Sequence, residues 1–416
     1  MRIKHIISIL IAALFFFASW TGVFVTVAWI SIPIIIACLL IGLFFLLKGG
    51  EILNFQRDSD KIAIFMIICI LIAALYNSNV QSIISVSTYI TAFIILNILL
   101  REGIVTFGNY NSIKLANIIG VFFVVIFIYI AFYYEFFLDI PIQDYMPRTK
   151  DARATYFIFP RIYAFSTEPT HLGWYLNTLG IVALYHSFQY LKHRNYTKIL
   201  LGALFFGSWV LTFSVGSFVF LPFATLFVYT VLFIKKQERI NINFKWALVC
   251  IFILTILVIF VQQTIDSNIL TLFFERMIEK ISYDGTGDNI RSIRFSSDLS
   301  IALQHVFLGK GPGYLSSMEQ DSSLNLYLFL FLEAGIFAVV FLCIFYVLLF
   351  REIIFSKSED SIIFGIAYIA GIAHLFTMTQ FYHTNIWLLL AMFYLSNRKL
   401  NNEKRLKYNN YKIDKN

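Results

Sequence analysis

Hydrophobic runs of membrane-crossing length recur along almost the whole sequence, from Ile6 to Leu395. About 20 apolar residues in a helix cross a hydrocarbon core of roughly 30 Å. Hydrophobic residues make up 59% of the 416 and charged residues 13%, against roughly 45–50% and 25% in soluble domains. A water-soluble fold cannot bury that much apolar surface. The chain is therefore predicted to be an all-α polytopic membrane protein, with residues 1–416 forming a single integral membrane domain.

Hydropathy predicts about twelve transmembrane helices. The predicted spans are 6–20, 22–47, 62–77, 82–100, 116–138, 171–191, 198–214, 217–234, 246–263, 322–350, 361–378 and 381–396. The first run lacks a small-residue cleavage pattern, which favours a first helix over a cleaved signal peptide. An even number of spans places both termini on the same side of the membrane.

The basic residues indicate which side that is. With both termini in the cytoplasm, 23 of the 32 Lys and Arg fall in cytoplasmic segments, including the basic tail 397–416. The remaining nine all lie in two long outer loops, 139–170 and 264–321. Cytoplasmic loops of membrane proteins are enriched in Lys and Arg, so this distribution predicts a multi-pass cytoplasmic (inner) membrane protein with cytoplasmic termini. The net charge of +8 is then expected to face the anionic lipid bilayer, and nucleic acid is not an expected partner.

The second outer loop contains a helical pattern. After a candidate helix cap at Asp288, apolar residues recur at helical spacing: Phe295, Leu299, Ala302, Leu303 and Val306. This pattern predicts an amphipathic helix at the outer membrane surface. Arg291 lies one turn before Phe295 on the same face, where an arginine usually has an anionic partner.

The first candidate site lies where the outer loop 139–170 enters the sixth span. A cation, a carboxylate and an imidazole lie there at the boundary of the membrane, where charge is costly: Arg161, Glu168 and His171. The alternative is a structural helix start, with Ser166 or Thr167 as the cap, Glu168 in the first turn and Pro169 at an early helical position. The sequence alone favours neither interpretation.

The second candidate site is Arg291 with Arg294, followed by the glycine-rich segment 309–313. Guanidinium groups can grip a diphosphate through paired hydrogen bonds. The glycines lack the Lys-Ser/Thr ending of a nucleotide loop, so a turn or a close backbone approach is the preferred interpretation for them. The acidic stretch 284–288 lacks the later ligands of a calcium loop and is interpreted as a turn.

A few polar residues lie at or inside the later spans. Glu333 falls well inside the tenth span, where a carboxylate is either functional or neutral and bonded to a neighbouring helix. His374, Gln380 and His383 surround the last outer turn, where a polar interfacial role is the more common one. The four cysteines all lie in hydrophobic runs, and no metal site or metal cofactor is expected.

In their order along the chain and in the predicted side of the membrane on which they lie, these segments resemble the Wzy-type O-antigen and capsular polysaccharide polymerases. These polymerases are related to the O-antigen ligases. The resemblance covers the helix count, the long loops after helices five and nine, and the cytoplasmic termini. Its residues are Arg161 through Glu168 and Pro169, Arg291 with the segment 308–311, and 325–328 leading to 332–336. Ligases commonly have Ser-Arg-Gly after helix seven and a His before the Asn of helix ten. Here those positions hold Ser214-Val215-Gly216 and Leu324, which favours a polymerase.

The resemblance implies an integral membrane glycosyltransferase that needs no cofactor. Its substrates would be polyprenyl-diphosphate-linked oligosaccharides, and a chain-length regulator and a flippase of the same pathway would be partners. Arg161 and Arg291 are assigned to the diphosphate, with Arg294 as a supporting cation. Glu168 is the first candidate to orient or deprotonate the acceptor hydroxyl, and His171 is the second.

Two other functions remain open at this point. An O-antigen ligase would use the same kind of donor on a different acceptor. A lipid-linked oligosaccharide flippase also has about twelve helices, but it has short outer loops and cations along a central cavity. The nine outer Lys and Arg of this chain lie only in two long loops, which makes the flippase the less favoured alternative.

Overall fold

A computed structural model describes residues 2–21, 24–25, 30–49, 57–76, 80–142, 155–156, 159–212, 214–234, 290–318, 325–356 and 358–413. Most of these residues are helical. The helices are α1 (Arg2–Phe16), α2 (Ile32–Lys48), α3 (Asp58–Tyr76), α4 (Val80–Phe107), α5 (Tyr110–Phe137), α6 (169–190), α7 (Asn195–Leu211), α8 (Val215–Ile234), α9 (Ile290–Gln304), α10 (Tyr314–Ser317), α11 (Leu326–Ile354), α12 (Ser361–His374) and α13 (Asn385–Ile413). Two helices contain π-helical stretches, Thr91–Leu100 in α4 and Leu176–Gly180 in α6.

In this part of the chain, five helices are long and apolar enough to cross a membrane, namely α3, α4, α5, α8 and α11. Helices α1, α2 and α12 are also apolar but shorter. A helix satisfies its own backbone hydrogen bonds, which is what a segment within lipid requires. The predicted all-helical, multi-pass membrane architecture is confirmed at this level, and the bilayer is the solvent of these helices.

The packing is that of a membrane protein. Large apolar side chains are exposed on the outer helices, including Leu46 of α2 and Leu75 of α3, which are both 83% exposed. The innermost helix surfaces instead bury polar groups such as Asn177 and His374, both 0% exposed. Apolar groups can face outward here because hydrocarbon, rather than water, surrounds them.

Several boundaries differ from the sequence prediction. The second span was predicted from residue 22, but α2 begins at Ile32, after a short antiparallel strand pair of Phe24–Val25 with Ile30–Ser31. Pro33 explains this start, because proline fits the first helical turn and prevents the helix from extending further toward its N-terminus. Helix α13 continues to Ile413, well into the tail that was expected to follow residue 396. The predicted span 246–263 lies outside the described residues.

The two long loops, 139–170 and 264–321, are described in part. In the first loop, Thr155–Tyr156 pairs with Phe159–Pro160 as a second short antiparallel pair. In the second loop, the predicted amphipathic helix is present as α9. Phe295, Leu299 and Ala302 pack with Leu328 and Leu332 of α11.

The prediction of which residues form the apolar face of α9 was only partly right. Leu303 points away from the packed face and is 59% exposed. Val306 lies beyond the end of the helix. The candidate cap Asp288 and the acidic stretch 284–288 lie outside the described residues.

One end of the helix bundle is held by buried ion pairs, and we call it the charged end. Arg101 of α4 donates from Nη2 to both carboxylate oxygens of Asp60 of α3, at 2.8 and 3.0 Å. Both side chains are completely buried. Arg57 lies 3.1 Å from Glu102, which also accepts from Arg101. Buried charges are tolerated when they are paired in this way.

The same end joins α11 and α13 to this network. The guanidinium of Arg57 lies 3.7 Å from the ring centre of Tyr394, within the range of a cation–π contact. The Tyr394 hydroxyl donates to Glu352 at 2.5 Å, and Ser59 donates to the other oxygen of Glu352 at 3.2 Å. Helices α3 and α4 therefore meet the sequence-distant helices α11 and α13 at one polar cluster.

Asp360, between α11 and α12, adds a second polar contact at this end. Its carboxylate accepts from Tyr110 of α5 at 2.8 Å and from Gln189 of α6 at 3.1 Å, and His186 lies 3.5 Å away. Burial alone would raise the pKa of Asp360, but the contacts with His186, Tyr110 and Gln189 outweigh it and lower the pKa to about 2. The carboxylate is therefore ionised at neutral pH and ties α5 and α6 to the start of α12.

Two neighbouring aspartates test the role of the buried ion pair. Asp60→Asn is expected to destabilise the protein by about 3–5 kcal/mol, because it removes the main counter-charge of a fully buried guanidinium. Asp58→Asn is the matched control, since Asp58 pairs with Lys61 on an exposed surface of the same helical turn. Its effect should be at most about 1 kcal/mol. Thermal unfolding in detergent would measure both changes, and similar shifts for the two variants would contradict the assigned role.

Candidate functional site

The opposite end of the bundle contains the described part of the first long loop, 139–170. Residues 162–166 are buried there, although they are not part of a helix. The backbone N–H of Ile162 donates to the carbonyl of Leu211 at 3.3 Å, and the Ser166 hydroxyl donates to the carbonyl of Ser19 at 3.1 Å. The ring of Phe165 stacks on Trp20 with their centres 4.2 Å apart. These contacts fix the segment between Arg161 and Glu168 against the ends of α1 and α7.

Glu168 and His171 lie together where this segment becomes α6. Glu168 occupies the cap position with extended backbone but makes no capping hydrogen bond through its side chain, and it is exposed to solvent. Pro169 is in the first turn, as the helix-start interpretation predicted. Thr167 does not cap the helix, because its hydroxyl is hydrogen-bonded to Nδ1 of His171. His171 itself is buried, with 3% of its surface exposed.

Three histidines converge at this end, and we call them the histidine cluster: His171, His374 and His383. The ring centres of His171 and His383 lie 4.7 Å apart. His374 is at the end of α12, and His383 is in the turn before α13. All three side chains are buried. Sequence reasoning had singled out only His171 as a candidate catalytic residue.

Asn177 orients His374. Its amide nitrogen lies 2.9 Å from Nε2 of His374 and donates to the carbonyl of Ser217 at 3.1 Å. Its amide oxygen accepts from the indole N–H of Trp209 at 2.8 Å. With the amide fixed in this way, Nε2 of His374 is the acceptor and Nδ1 carries the proton. Asn177 lies in the π-helical stretch of α6, a deviation that is often found at functional sites.

In and around the histidine cluster lie buried polar atoms that have no hydrogen-bond partner among the described residues. They are His171 Nε2, His374 Nδ1, both ring nitrogens of His383, and the hydroxyls of Ser214, Ser217 and Thr384. Buried polar groups in folded proteins are nearly always hydrogen-bonded, to protein or to water. Such a concentration of unpaired donors and acceptors indicates a site for water or for the hydroxyl groups of a ligand.

His383 is neutral in this setting. Its side chain is 6% exposed, and burial disfavours the charged form of an imidazole. A neutral imidazole has one nitrogen that donates a proton and one whose lone pair accepts a proton. The cluster can therefore take part in proton transfer as well as in hydrogen bonding.

The second feature of this end is a break inside α11. Gly335 has φ 79° and ψ −178°, which divides the 29-residue helix into a first part, 326–334, and a second part, 336–354. The glycine-rich segment 309–313 lies against this break. Lys310 and Gly311 donate their backbone N–H groups to the carbonyls of Leu332 and Glu333, at 2.7 and 2.9 Å. The N–H of Ile336 is likewise satisfied, by the carbonyl of Val306 at 2.8 Å.

The glycines of this segment are required by close backbone approach, as the sequence analysis preferred. A Cβ atom on Gly309 would lie 2.6 Å from the backbone of Glu333. A Cβ on Gly313 would lie 2.5 Å from the backbone of Gln81, at the start of α4. Both glycines also have positive φ angles, 66° and 79°. No other residue type fits either position without strain.

The carboxylate of Glu333 fastens the segment to α4. It accepts from the backbone N–H of Gly313 at 2.6 Å and from the hydroxyl of Tyr89 at 2.9 Å. Ser82 adds a bond of 2.5 Å from its hydroxyl to the carbonyl of Pro312. Of the two interpretations of Glu333, these contacts match the one that bonds it to a neighbouring helix.

The two features are connected through the first part of α11. The N–H of Leu326 donates to the carbonyl of Leu375, next to His374, at 2.9 Å. The ring of Tyr89 stacks on Phe381, two residues before His383, with centres 4.8 Å apart. The helix that carries Arg294, α9, packs on the same part of α11 through Leu328 and Leu332.

The predicted site residues therefore lie in two places: the start of α6 with the loop before it, and helix α9. Glu168 and His171 are brought together at the start of α6, and Arg161 lies seven residues upstream in the same loop. Arg294 is half-buried on α9. The side chain of Arg291 lies outside the described residues. That Arg161, Arg291 and Arg294 bind a diphosphate together stays a prediction.

No protein-family model matches the chain, and no curated protein matches it significantly.

The break in α11 gives a direct test of this architecture. Gly335→Ala should be strongly destabilising, because the new Cβ would lie 2.0 Å from the carbonyl oxygen of Phe307. The strained backbone alone would cost about 1–3 kcal/mol. Gly42→Ala in α2 is the matched control, since nothing lies within 4 Å of its added Cβ. It should gain roughly 0.5–1 kcal/mol in helical preference. Thermal unfolding in detergent compares them, and a Gly335→Ala protein as stable as the parent would contradict the interlocked break.

Proposed function

We propose that the protein polymerises repeat units of a surface polysaccharide, an O-antigen or a capsule. It transfers a polyprenyl-diphosphate-linked glycan chain onto a lipid-linked repeat unit at the outer face of the cytoplasmic membrane. In this proposal the chain crosses the membrane about twelve times, both termini and the charged end face the cytoplasm, and the histidine cluster faces outward.

The observation that carries the proposal is the chemical difference between the two ends. At the charged end, buried charges are paired with one another, as in Arg101 with Asp60. At the other end lie the histidine cluster, with its unpaired buried polar atoms, and the two loops that hold all of the proposed outer Lys and Arg. A site that binds the hydroxyl groups of sugars and a diphosphate needs this combination of uncharged hydrogen-bonding groups and cations.

The proposed reaction requires these residues to stabilise the leaving diphosphate, to remove a proton from the acceptor and to position both substrates. The acceptor oxygen forms a bond to the anomeric carbon of the donor, while the bond from that carbon to the diphosphate oxygen breaks. The departing diphosphate takes the electron pair, and cations that stabilise its charge lower the barrier. Arg161 and Arg291 are assigned this role, supported by Arg294. The acceptor hydroxyl loses its proton to a nearby base, for which Glu168 and His171 are the candidates.

Substrate positioning is the remaining requirement. Aligning two bound lipid-linked substrates can account for a large part of the rate enhancement. The segment 309–313, fixed by Glu333 and by the break in α11, holds one end of α9 in a defined place. A helix placed in this way can present its arginines in a constant geometry.

A reconstitution experiment tests the proposed activity. The purified protein in lipid nanodiscs is given lipid-linked repeat units extracted from cells that lack it, with no ATP and with a chelator present. A ladder of lipid-linked products is expected, because departure of the polyprenyl diphosphate drives each transfer. The products are resolved on a gel.

The control is an Arg161→Ala protein, which should bind poorly and form no ladder. A deletion strain supplies the second readout, since it should accumulate single repeat units on the outer face of the membrane. If that strain instead accumulated full-length chains on the carrier, the protein would be a ligase. Repeat units retained on the cytoplasmic leaflet would indicate a flippase. Either result would exclude polymerisation.

A further inference from the structure

The turn between α12 and α13 carries a group that the proposed reaction has not yet used. His383 lies in this turn, is 6% exposed, and has both ring nitrogens without a hydrogen-bond partner among the described residues. A buried imidazole with two unsatisfied nitrogens is uncommon, because each unmade hydrogen bond costs free energy. A polar ligand or water that completes these bonds would remove that cost.

The surroundings of His383 define what could bind there. Its ring faces His171 at 4.7 Å between centres and Trp174 at 6.2 Å. The unpaired hydroxyl of Thr384 is next to it in the chain. Small polar groups beside an aromatic ring suit a sugar, which presents hydroxyls at its rim and C–H groups on its face.

We propose that His383 and His171 form the acceptor-binding subsite, and that His383 removes the proton from the acceptor hydroxyl. This inference rests on the proposed polymerase function and names the catalytic base within it. It also assigns the turn 375–384 to the site, although sequence reasoning had placed only a polar interfacial role there.

The division of labour between the two histidines follows from their contacts. Nδ1 of His171 is occupied by the hydroxyl of Thr167, which holds the ring in one orientation. His171 is thereby suited to bind and orient the acceptor through Nε2. His383 has no such anchor in the described structure and keeps a free lone pair. The proton moves from the acceptor oxygen to this nitrogen as the new glycosidic bond forms, and then leaves to water.

Glu168 has a different place in this scheme. Its side chain is exposed at the start of α6, whereas the rings of His171 and His383 are buried beside one another. Glu168 precedes His171, the ring that orients the acceptor, by three residues and interacts electrostatically with it. Glu168 is therefore a positioning residue rather than the proton acceptor.

The test compares turnover with binding in nanodisc-embedded protein, and the probe is the extracted lipid-linked repeat unit. His383→Gln and His383→Asn retain a polar side chain of similar size and remove the basic nitrogen. Both are expected to lower turnover at saturating probe by roughly 100-fold or more, as loss of a general base does. Their dissociation constants for the probe should stay within about threefold of the parent value, because the amide still hydrogen-bonds. His305→Gln is the matched control, since it is a histidine of the second outer loop outside the cluster, and it should keep full turnover.

Each outcome decides a separate point. A parent protein that makes a ladder while both His383 variants bind the probe without turning it over supports the inference. Variants that keep more than a third of the parent turnover overturn it and leave the polymerase function standing. Loss of probe binding in both variants assigns His383 to binding or packing rather than to proton transfer, and also overturns the inference. A parent protein that makes no ladder contradicts the polymerase function itself, and the inference with it.

Discussion

The end of the bundle that carries the histidine cluster depends on one constraint, which the peptide groups at the break in α11 impose. A helix interrupted among apolar surroundings exposes N–H and carbonyl groups that lipid cannot satisfy, so the protein must supply their partners. Here the partners come from residues 306–311, while Glu333 and Tyr89 fix the same segment to α4. The position of α9, and with it Arg294, follows from these bonds. The first part of α11 also contacts the end of α12, beside His374.

The two ends of the bundle solve the problem of buried polarity in opposite ways. At the charged end, Arg101 and Asp60 satisfy one another, and this pairing holds α3 against α4. In the histidine cluster, several buried ring nitrogens have no hydrogen-bond partner among the described residues, as with both nitrogens of His383. Pairing stabilises a fold but leaves nothing to bind a ligand. Buried polar groups without partners lower the stability of the fold, and such destabilising groups are expected mainly at functional sites.

Much of the fold could be predicted from the sequence, because long apolar runs have few other structural solutions. The glycines of the segment 309–313 were correctly attributed to close backbone approach. The break at Gly335 could not be predicted, since one glycine in a long apolar run is also compatible with an unbroken helix. The histidine cluster was missed because His171 and His383 are about 200 residues apart and only packing brings them together. The roles of Arg161, Arg291 and Arg294 stay predictions.

The central claim is that the histidine cluster opens to the outer face of the cytoplasmic membrane. Labelling of single cysteines in intact spheroplasts tests it most directly, after the four native cysteines have been replaced. Ser317→Cys lies at the end that carries the cluster, Glu359→Cys lies at the charged end, and both positions are exposed. A membrane-impermeant maleimide should label Ser317→Cys in intact spheroplasts and Glu359→Cys only after the membrane has been permeabilised. The reverse pattern would place the cluster in the cytoplasm and contradict the account.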